Sequence, residues 1–334
     1  MRFFFYCYAS RMQRSFSRRH VLKRLGGGLL GLSLLPSPAF AQAIRVRSGD
    51  SIQAAVDAVS PGGTVLVEPG TYTETVVIEK PLKLESVAGF AETVIQADQS
   101  QFAWAGLPRE KYIVGAVNIR NTRDVTVDGF TLLNALEGLW VSASRYVLVQ
   151  NCMSCAHQSS GYYFWGSQDA TLLHSEGSGN AVGVYQGGSV DISILNNLFT
   201  GNVGGPAPHL ENDPFPGIGI LLGNFSTGCQ IAGNHTVDNS DWGVGIGAGI
   251  TNVNIVRNEI RGNRIGAFIS ERGTLLRHNN IVENSELGLE ADLDTDAREN
   301  WWGSPADPGD AATSTALVRP WLREPRDIPN GFAR

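Results

Sequence analysis

Short runs of alternating apolar and polar residues recur along this chain at a near-constant interval. The clearest is 243–263, GVGIGAGITNVNIVRNEIRGN, which returns one unit later as GAFISERGTLLRHNNIVEN from Gly266. Alternation at period two means strands with one face turned inward. Asn tolerates the left-handed backbone of a sharp corner better than other non-glycine residues. A strand, a corner, a second strand, an Asn corner and a third strand make one coil of a parallel β-solenoid.

Aligning the opening strand of each coil gives starts at Ala116, Gly138, Gly161, Gly183, Gly219, Gly243, Gly266 and Gly288, at intervals of 22, 23, 22, 36, 24, 23 and 22. A period this regular implies stacked units sharing one core. The long interval is an ordinary coil plus an insertion at 203–217; a second insertion spans 97–115. One Asn column runs through Asn151, Asn197, Asn234, Asn258 and Asn279, with His174 filling its gap; another runs through Asn202, Asn239, Asn263 and Asn284. Stacked side-chain amides can bond from coil to coil, so these columns read as structural. His235 and His278 read as turn residues beside them.

Ahead of the coils, Ser51 is placed to cap a short helix with Ile52, Ala55, Val56 and Val59 on one face, ended by Pro61-Gly62-Gly63. An amphipathic cap over 44–63 suits the open end of a solenoid. This stretch, with Gly70-Thr71-Tyr72-Thr73-Glu74, resembles the start of the right-handed parallel β-helix superfamily. That superfamily includes pectate lyases, pectin methylesterases and copper-handling accessory proteins. Glu299-Asn300-Trp301-Trp302-Gly303 with Pro320-Trp321 resembles the C-terminal closure of such proteins, giving a cap or tail at 298–334. The fold expected is all-β: a right-handed parallel β-helix of about ten coils, three short strands each, with an N-terminal helical cap, forming one domain over 42–334.

Residues 1–41 read differently. Ser17-Arg18-Arg19-His20-Val21-Leu22-Lys23 resembles the twin-arginine signal S-R-R-x-F-L-K; an apolar stretch and Ala39-Phe40-Ala41, a small-x-small cleavage site, follow. Removal of 1–41 is expected, with export to the periplasm or medium and no membrane span afterwards. Seven of the 26 Lys and Arg lie there and none of the 32 acids, so the remainder carries 19 bases against 32 acids, a net charge of −13. That balance disfavours nucleic acid as a partner. A monomer is expected.

In the opening strands, the first and third residues after each coil start are mostly apolar and face inward. The second and fourth then face outward. Trp140, Tyr163, Trp165 and Tyr185 fall on consecutive coils of that outer face, as a stripe suited to the C–H faces of a linear polysaccharide; the alternative is that a loop packs over them. Both insertions enter this sheet and supply Arg109, Lys111, His209, Glu211 and Asp213. In related lyases and hydrolases the cleft lies over this same sheet, which the resemblance implies. Elimination beside a carboxylate needs a base, a proton donor and positive charge. His209 or Lys111 is the candidate base and Asp213 a further catalytic candidate on the insertions, Tyr163 or Tyr185 is the candidate donor, and Arg109 or Arg120 the candidate neutraliser. Hydrolysis is the other reaction open. No signature of one enzyme family is matched: Asp213-Pro214 lacks the His of alginate epimerases, and the Gly-His-Gly of polygalacturonase-like hydrolases is absent.

Two metal readings arise. Glu290, Asp292, Asp294 and Asp296 would share one face of a continuing strand and could hold Ca²⁺; otherwise they form a solvated end strand that blocks aggregation. Cys152, Cys155 and His157 could hold a soft metal, although a strand turns the two cysteines to opposite faces. Cys229 reads as a core residue. A non-catalytic envelope protein, either an adhesive binding module or a metal-site maturation accessory, is the alternative to a carbohydrate-active one. Because Met1–Arg11 fit poorly before an export signal, translation is expected to begin at Met12; an N-terminal peptide from residues 1–11 in fresh lysate would refute this.

Overall fold

A computed structural model describes residues 43–210 and 214–329. The expected export signal at 1–41 and the candidate Asp213 lie outside them. The described chain coils into three parallel sheets. The first sheet has nine strands, among them Gly115–Arg120, Glu137–Ser142, Ser160–Trp165, Val182–Gly187 and Ile218–Gly223. The second has twelve and the third nine. The twelve exceed the ten coils expected because Ala43–Val46 adds a strand at one end and Ala316–Leu317, from the tail, adds one at the other.

The register follows the hydrophobic pattern. Leu139 pairs with Tyr162 and Val117, and Trp140 pairs with Tyr163 and Asn118. The first and third residues after each coil start are inside: Val117, Leu139, Tyr162, Val184, Ile220 and Val244 are buried in one continuous core. At the N-terminal end the helix Ile52–Ala58 turns Ile52, Ala55 and Val56 into that core. Glu74 completes its N-terminus, accepting from the backbone N–H of Ile52 (2.7 Å) and Gln53 (2.8 Å), donors that a helix leaves unpaired. At the other end Trp302 joins the core beside Gly288.

From Gly138 onward each coil opens on glycine for lack of room. A Cβ on Gly219 would lie 2.6 Å from the carbonyl oxygen of Gly243, and one on Gly243 would lie 2.6 Å from that of Gly266. The corners are held by side-chain ladders. Asn258 Oδ1 accepts the backbone N–H (2.9 Å) and the amide (3.0 Å) of Asn234, while its own Nδ2 donates to Ile231 O, Val256 O and Asn279 Oδ1. The column runs Asn197, Asn234, Asn258, Asn279 and Asn300. Ser175 and Cys152 extend it backwards.

Asn151 and His174 are therefore not members, contrary to expectation. They occupy the preceding position, where the backbone is left-handed (φ 51 and 47), together with Asn196, Gly233, Arg257, His278 and Glu299. The ladder Asn needs its amide, and its neighbour supplies the left-handed turn. The second column, Asn202, Asn239, Asn263 and Asn284, holds as expected and reaches back to Asn180 and His157. A third ladder, Ser144, Ser167, Ser189 and Ser226, lines the corner between the first and second sheets.

These ladders account for the soft-metal candidates. Cys152 is core-facing, with burial pushing its thiol up to about 12, while Cys155 is half-buried on the opposite side. His157 Nδ1 accepts from Ala135 N–H (3.3 Å) and its Nε2 faces Leu132 O (3.1 Å), so both ring nitrogens are used inside the protein. The three do not converge. The acidic candidates also separate: the strand ends at Ala291, Asp292 and Asp294 lie in the following turn, and Asp296 sits in the second sheet held by Arg277 and Arg298. Among the described residues no group of three His, Cys, Asp or Glu side chains is placed to hold a metal ion.

Two outcomes follow. Asn258→Ala should lower stability by about 2–4 kcal/mol, because it strands donors and an acceptor inside the ladder, whereas Asn151→Gly should stay within about 0.5 kcal/mol; denaturant titration of both reads the contrast. Burial holds His157 at about 4, below its ordinary value. The unfolded chain then binds the extra proton first, so stability is full above about pH 6.5 and falls as pH drops toward 4, by ~3 kcal/mol at most. His157→Gln should flatten that acid limb of the melting temperature; an unchanged slope would discard the assignment.

Candidate functional site

The outer face of the first sheet carries the residues expected to do chemistry. The bend at each opening glycine also brings the preceding residue to this face. Glu137, Val182, Ile218 and Trp242 join Trp140, Tyr163, Tyr185 and Leu221 there. The two insertions fold onto it as necked loops. Ala103 and Ile113 exchange two backbone hydrogen bonds of 2.9 Å at the neck of the first, and Gly205 and Phe215 do the same at the neck of the second. Asn118 fixes the exit of the first: its Oδ1 accepts from Val114 N–H and Gly115 N–H, and its Nδ2 donates to Gly115 O.

The expected open aromatic stripe is corrected here. The register is right, but Trp140, Tyr163 and Tyr185 are 0%, 1% and 7% exposed. Their rings pack on one another at interplanar angles of 32° and 31°, with centroids 4.5 Å apart from Trp140 to Tyr163 and 4.6 Å from Tyr163 to Tyr185. Tyr112 of the first insertion lies 5.8 Å from Trp140, and Phe215 of the second lies 5.4 Å from Tyr185. The five rings form one column with an insertion at each end. Coils about 4.8 Å apart bring rings on successive strands to stacking distance, so their faces meet each other and not a ligand. Trp165 is no member of the column but packs against the same cluster, half-buried, with the Arg109 guanidinium 4.1 Å from its ring centroid.

Within this enclosure His209 Nε2 lies 2.7 Å from Glu137 Oε1, and both side chains are 0% exposed. Glu137 Oε2 accepts the Ser160 backbone N–H at 2.7 Å. Tyr112 and Trp140 flank the imidazole edge-on at 6.5 and 6.0 Å. His209 Nδ1 has no hydrogen-bond partner among the described residues, and neither does Trp140 Nε1; in the tautomer that donates Nε2–H to the carboxylate, Nδ1 carries the lone pair. Of the other candidates, Tyr163 is sealed, with burial raising its hydroxyl well above the usual tyrosine range. Lys111 is exposed at the end of the short helical turn Arg109–Lys111. Arg120 is committed elsewhere, donating to Lys111 O (2.7 Å) and pairing with Glu79 (2.8 Å).

Glu137 was not singled out by sequence reasoning. Its signal was available: one acid in a largely apolar column (Glu137, Ser160, Val182, Ile218, Trp242, Ile265, Leu287) facing both insertions.

A family model described as a right handed beta helix region matches residues 115–296. Among solved structures, the chain is similar to an alginate lyase from Paenibacillus sp. str. FPU-7, with TM-score 0.58 and 14% identity over 83% of this chain and 99% of that one. It is also similar to a polygalacturonase from Erwinia carotovora ssp. carotovora, with TM-score 0.57 and 11% identity over 89% and 99%. At such identities the likeness is one of fold. No match is found among curated proteins. The matched region takes in more than half of the sequence and coincides with the stacked coils, and the chain belongs to the right-handed β-helix family.

Proposed function

We propose that this is an exported, carbohydrate-active β-helix protein that holds a linear polysaccharide on its first-sheet side and cleaves it with His209 as general base. One observation carries the reading: the two longest insertions fold onto the same face and seat His209 on Glu137, with Nδ1 unpartnered among the described residues. A carboxylate that fixes the tautomer and orientation of an imidazole is how a histidine is made ready to take a proton. A buried pair of polar side chains adds little stability over apolar packing, so stability alone gives no reason to place one here. The polysaccharide-directed names of the similar structures, an alginate lyase and a polygalacturonase, agree with this reading. Elimination and hydrolysis both use such a base. The residues 1–41 support export, and no helix among the described residues is long and apolar enough to cross a membrane.

A second reading, a non-catalytic envelope binding protein, draws on the complete enclosure of the same pair. In that case Glu137–His209 anchors the second insertion and does no chemistry. For catalysis, the side chains of the first insertion over His209, Tyr112 among them, must shift to admit substrate.

The two readings separate in a glycan panel that follows unsaturated-product absorbance, reducing ends and retention, with and without Ca²⁺. Under the catalytic reading Glu137→Gln and His209→Asn each lower turnover by about 10²-fold or more while the protein stays folded. Retention without turnover, and variants that alter only the melting temperature, would leave the binding protein. Failure to retain or cleave any glycan would end both.

A further inference from the structure

The glycan reading needs a surface on which a chain can lie, and the self-stacked, roofed aromatic column does not offer one. The corner between the first and second sheets does. Trp165 ends the strand Ser160–Trp165, under the Arg109 guanidinium. Its register partner one coil earlier is Ser142. Three and four residues after Ser142 come Arg145 and Tyr146, within roughly 10–14 Å along the backbone. The two coils are tied at this corner: Ala143 N–H donates to Trp165 O at 2.9 Å, and Tyr146 N–H to Gln168 O at 3.2 Å.

Two features of this corner lack a structural reason. The first is Tyr146, which is 52% exposed with φ 55. At the equivalent left-handed position the neighbouring coils use Asp124, Asp169 and Asp191, a residue type that tolerates it. A bulky ring held there costs about 1 kcal/mol or more and covers no core. The second is charge. Acids outnumber bases in this protein, yet Arg109, Lys111 and Arg145 take part in none of the ion pairs among the described residues, whereas Arg120 and Arg123 are paired with Glu79 and Asp124. In the following coils the corner turns acidic at Asp169 and Asp191, which bounds the cationic strip.

We propose that this corner, Arg109 on Trp165 with Arg145 and Tyr146, binds an acidic linear glycan, an assignment that rests on the carbohydrate reading above. Stacking on Trp165 fixes the plane of the Arg109 guanidinium and leaves N–H groups at its edge for two-pronged bonding to a carboxylate or sulfate. Arg145 supplies a second cation along the strip, and the Tyr146 ring offers apolar surface to a sugar C–H face. The net charge of the remainder after residue 41 opposes any polyanion at long range, glycan and nucleic acid alike, so binding rests on the local cations, and single-stranded DNA in the test below tells the two apart.

Affinity electrophoresis tests the site with alginate and polygalacturonate as carboxylated glycans, dextran sulfate as a sulfated one, a neutral β-glucan and single-stranded DNA, each at low and moderate salt. At least one acidic glycan should retain the protein, more strongly at low salt; which arm responds tells carboxylate from sulfate. Arg109→Gln combined with Arg145→Gln should weaken retention about tenfold or more, and Tyr146→Gly several-fold. Glycine suits the left-handed backbone, so Tyr146→Gly should melt no lower than wild type, and loss of retention cannot then be laid to unfolding. Acidic-glycan retention untouched by these variants, retention of the neutral glycan alone, or DNA bound as tightly as any glycan would overturn the corner site and leave the broader carbohydrate reading standing. Retention of no glycan at all would overturn both.

Discussion

Each coil repeats the one before it at the spacing of hydrogen-bonded strands, about 4.8 Å, and this constraint reaches every other feature of the molecule. A residue that recurs once per coil meets its own copies at that distance. Amides then form ladders, since the Asn258 carbonyl reaches both donors of Asn234. Serine hydroxyls do the same at another corner. Where backbones come closest, only glycine fits. Outward aromatic rings on successive coils come within stacking range and pair with each other. Ladder, glycine column and ring column are three chemical answers to one geometric demand.

That demand explains what was legible in the sequence. The period, the inward columns and the second Asn column are statements about repetition, and repetition is visible without coordinates. The first Asn column was misjudged by one residue at Asn151 and His174, because tolerance of a left-handed backbone and capacity for an amide ladder both point to Asn. In the coils the two jobs sit on adjacent residues: Gly233 or Arg257 turns, Asn234 or Asn258 bonds. The serine ladder was less legible because serine is also an ordinary turn residue, so its column does not stand out from the loops around it.

The site was less legible for the opposite reason: its components occur once. Counting outward positions identified the aromatic rungs, but not that Tyr112 and Phe215 from the two insertions would close the ends of the column. Glu137 and His209 are 72 residues apart, and only the fold of the second insertion brings them to 2.7 Å. A candidate list drawn from the insertions therefore held His209 and missed the residue that orients it. Asn118 shows the same limit in milder form, an outward position whose side chain serves the backbone of the first insertion and no ligand.

The ring column bears on where a ligand can act. Its faces are taken up by mutual packing, the end faces included, which Tyr112 and Phe215 of the insertions cover. The column is better understood as the foundation of the insertions: Trp140, Tyr163 and Tyr185 give Tyr112 and Phe215 fixed ring ends to pack on, and the loops in turn carry Arg109 onto Trp165 and His209 onto Glu137. Aromatics in a solenoid thus do two different jobs according to their neighbours. On consecutive coils of one column they build structure. At a corner where neighbouring coils carry Asp, as at Tyr146, a ring stands half in solvent and covers no core. A search for binding residues in such a fold should start from the aromatic without a copy of itself above or below.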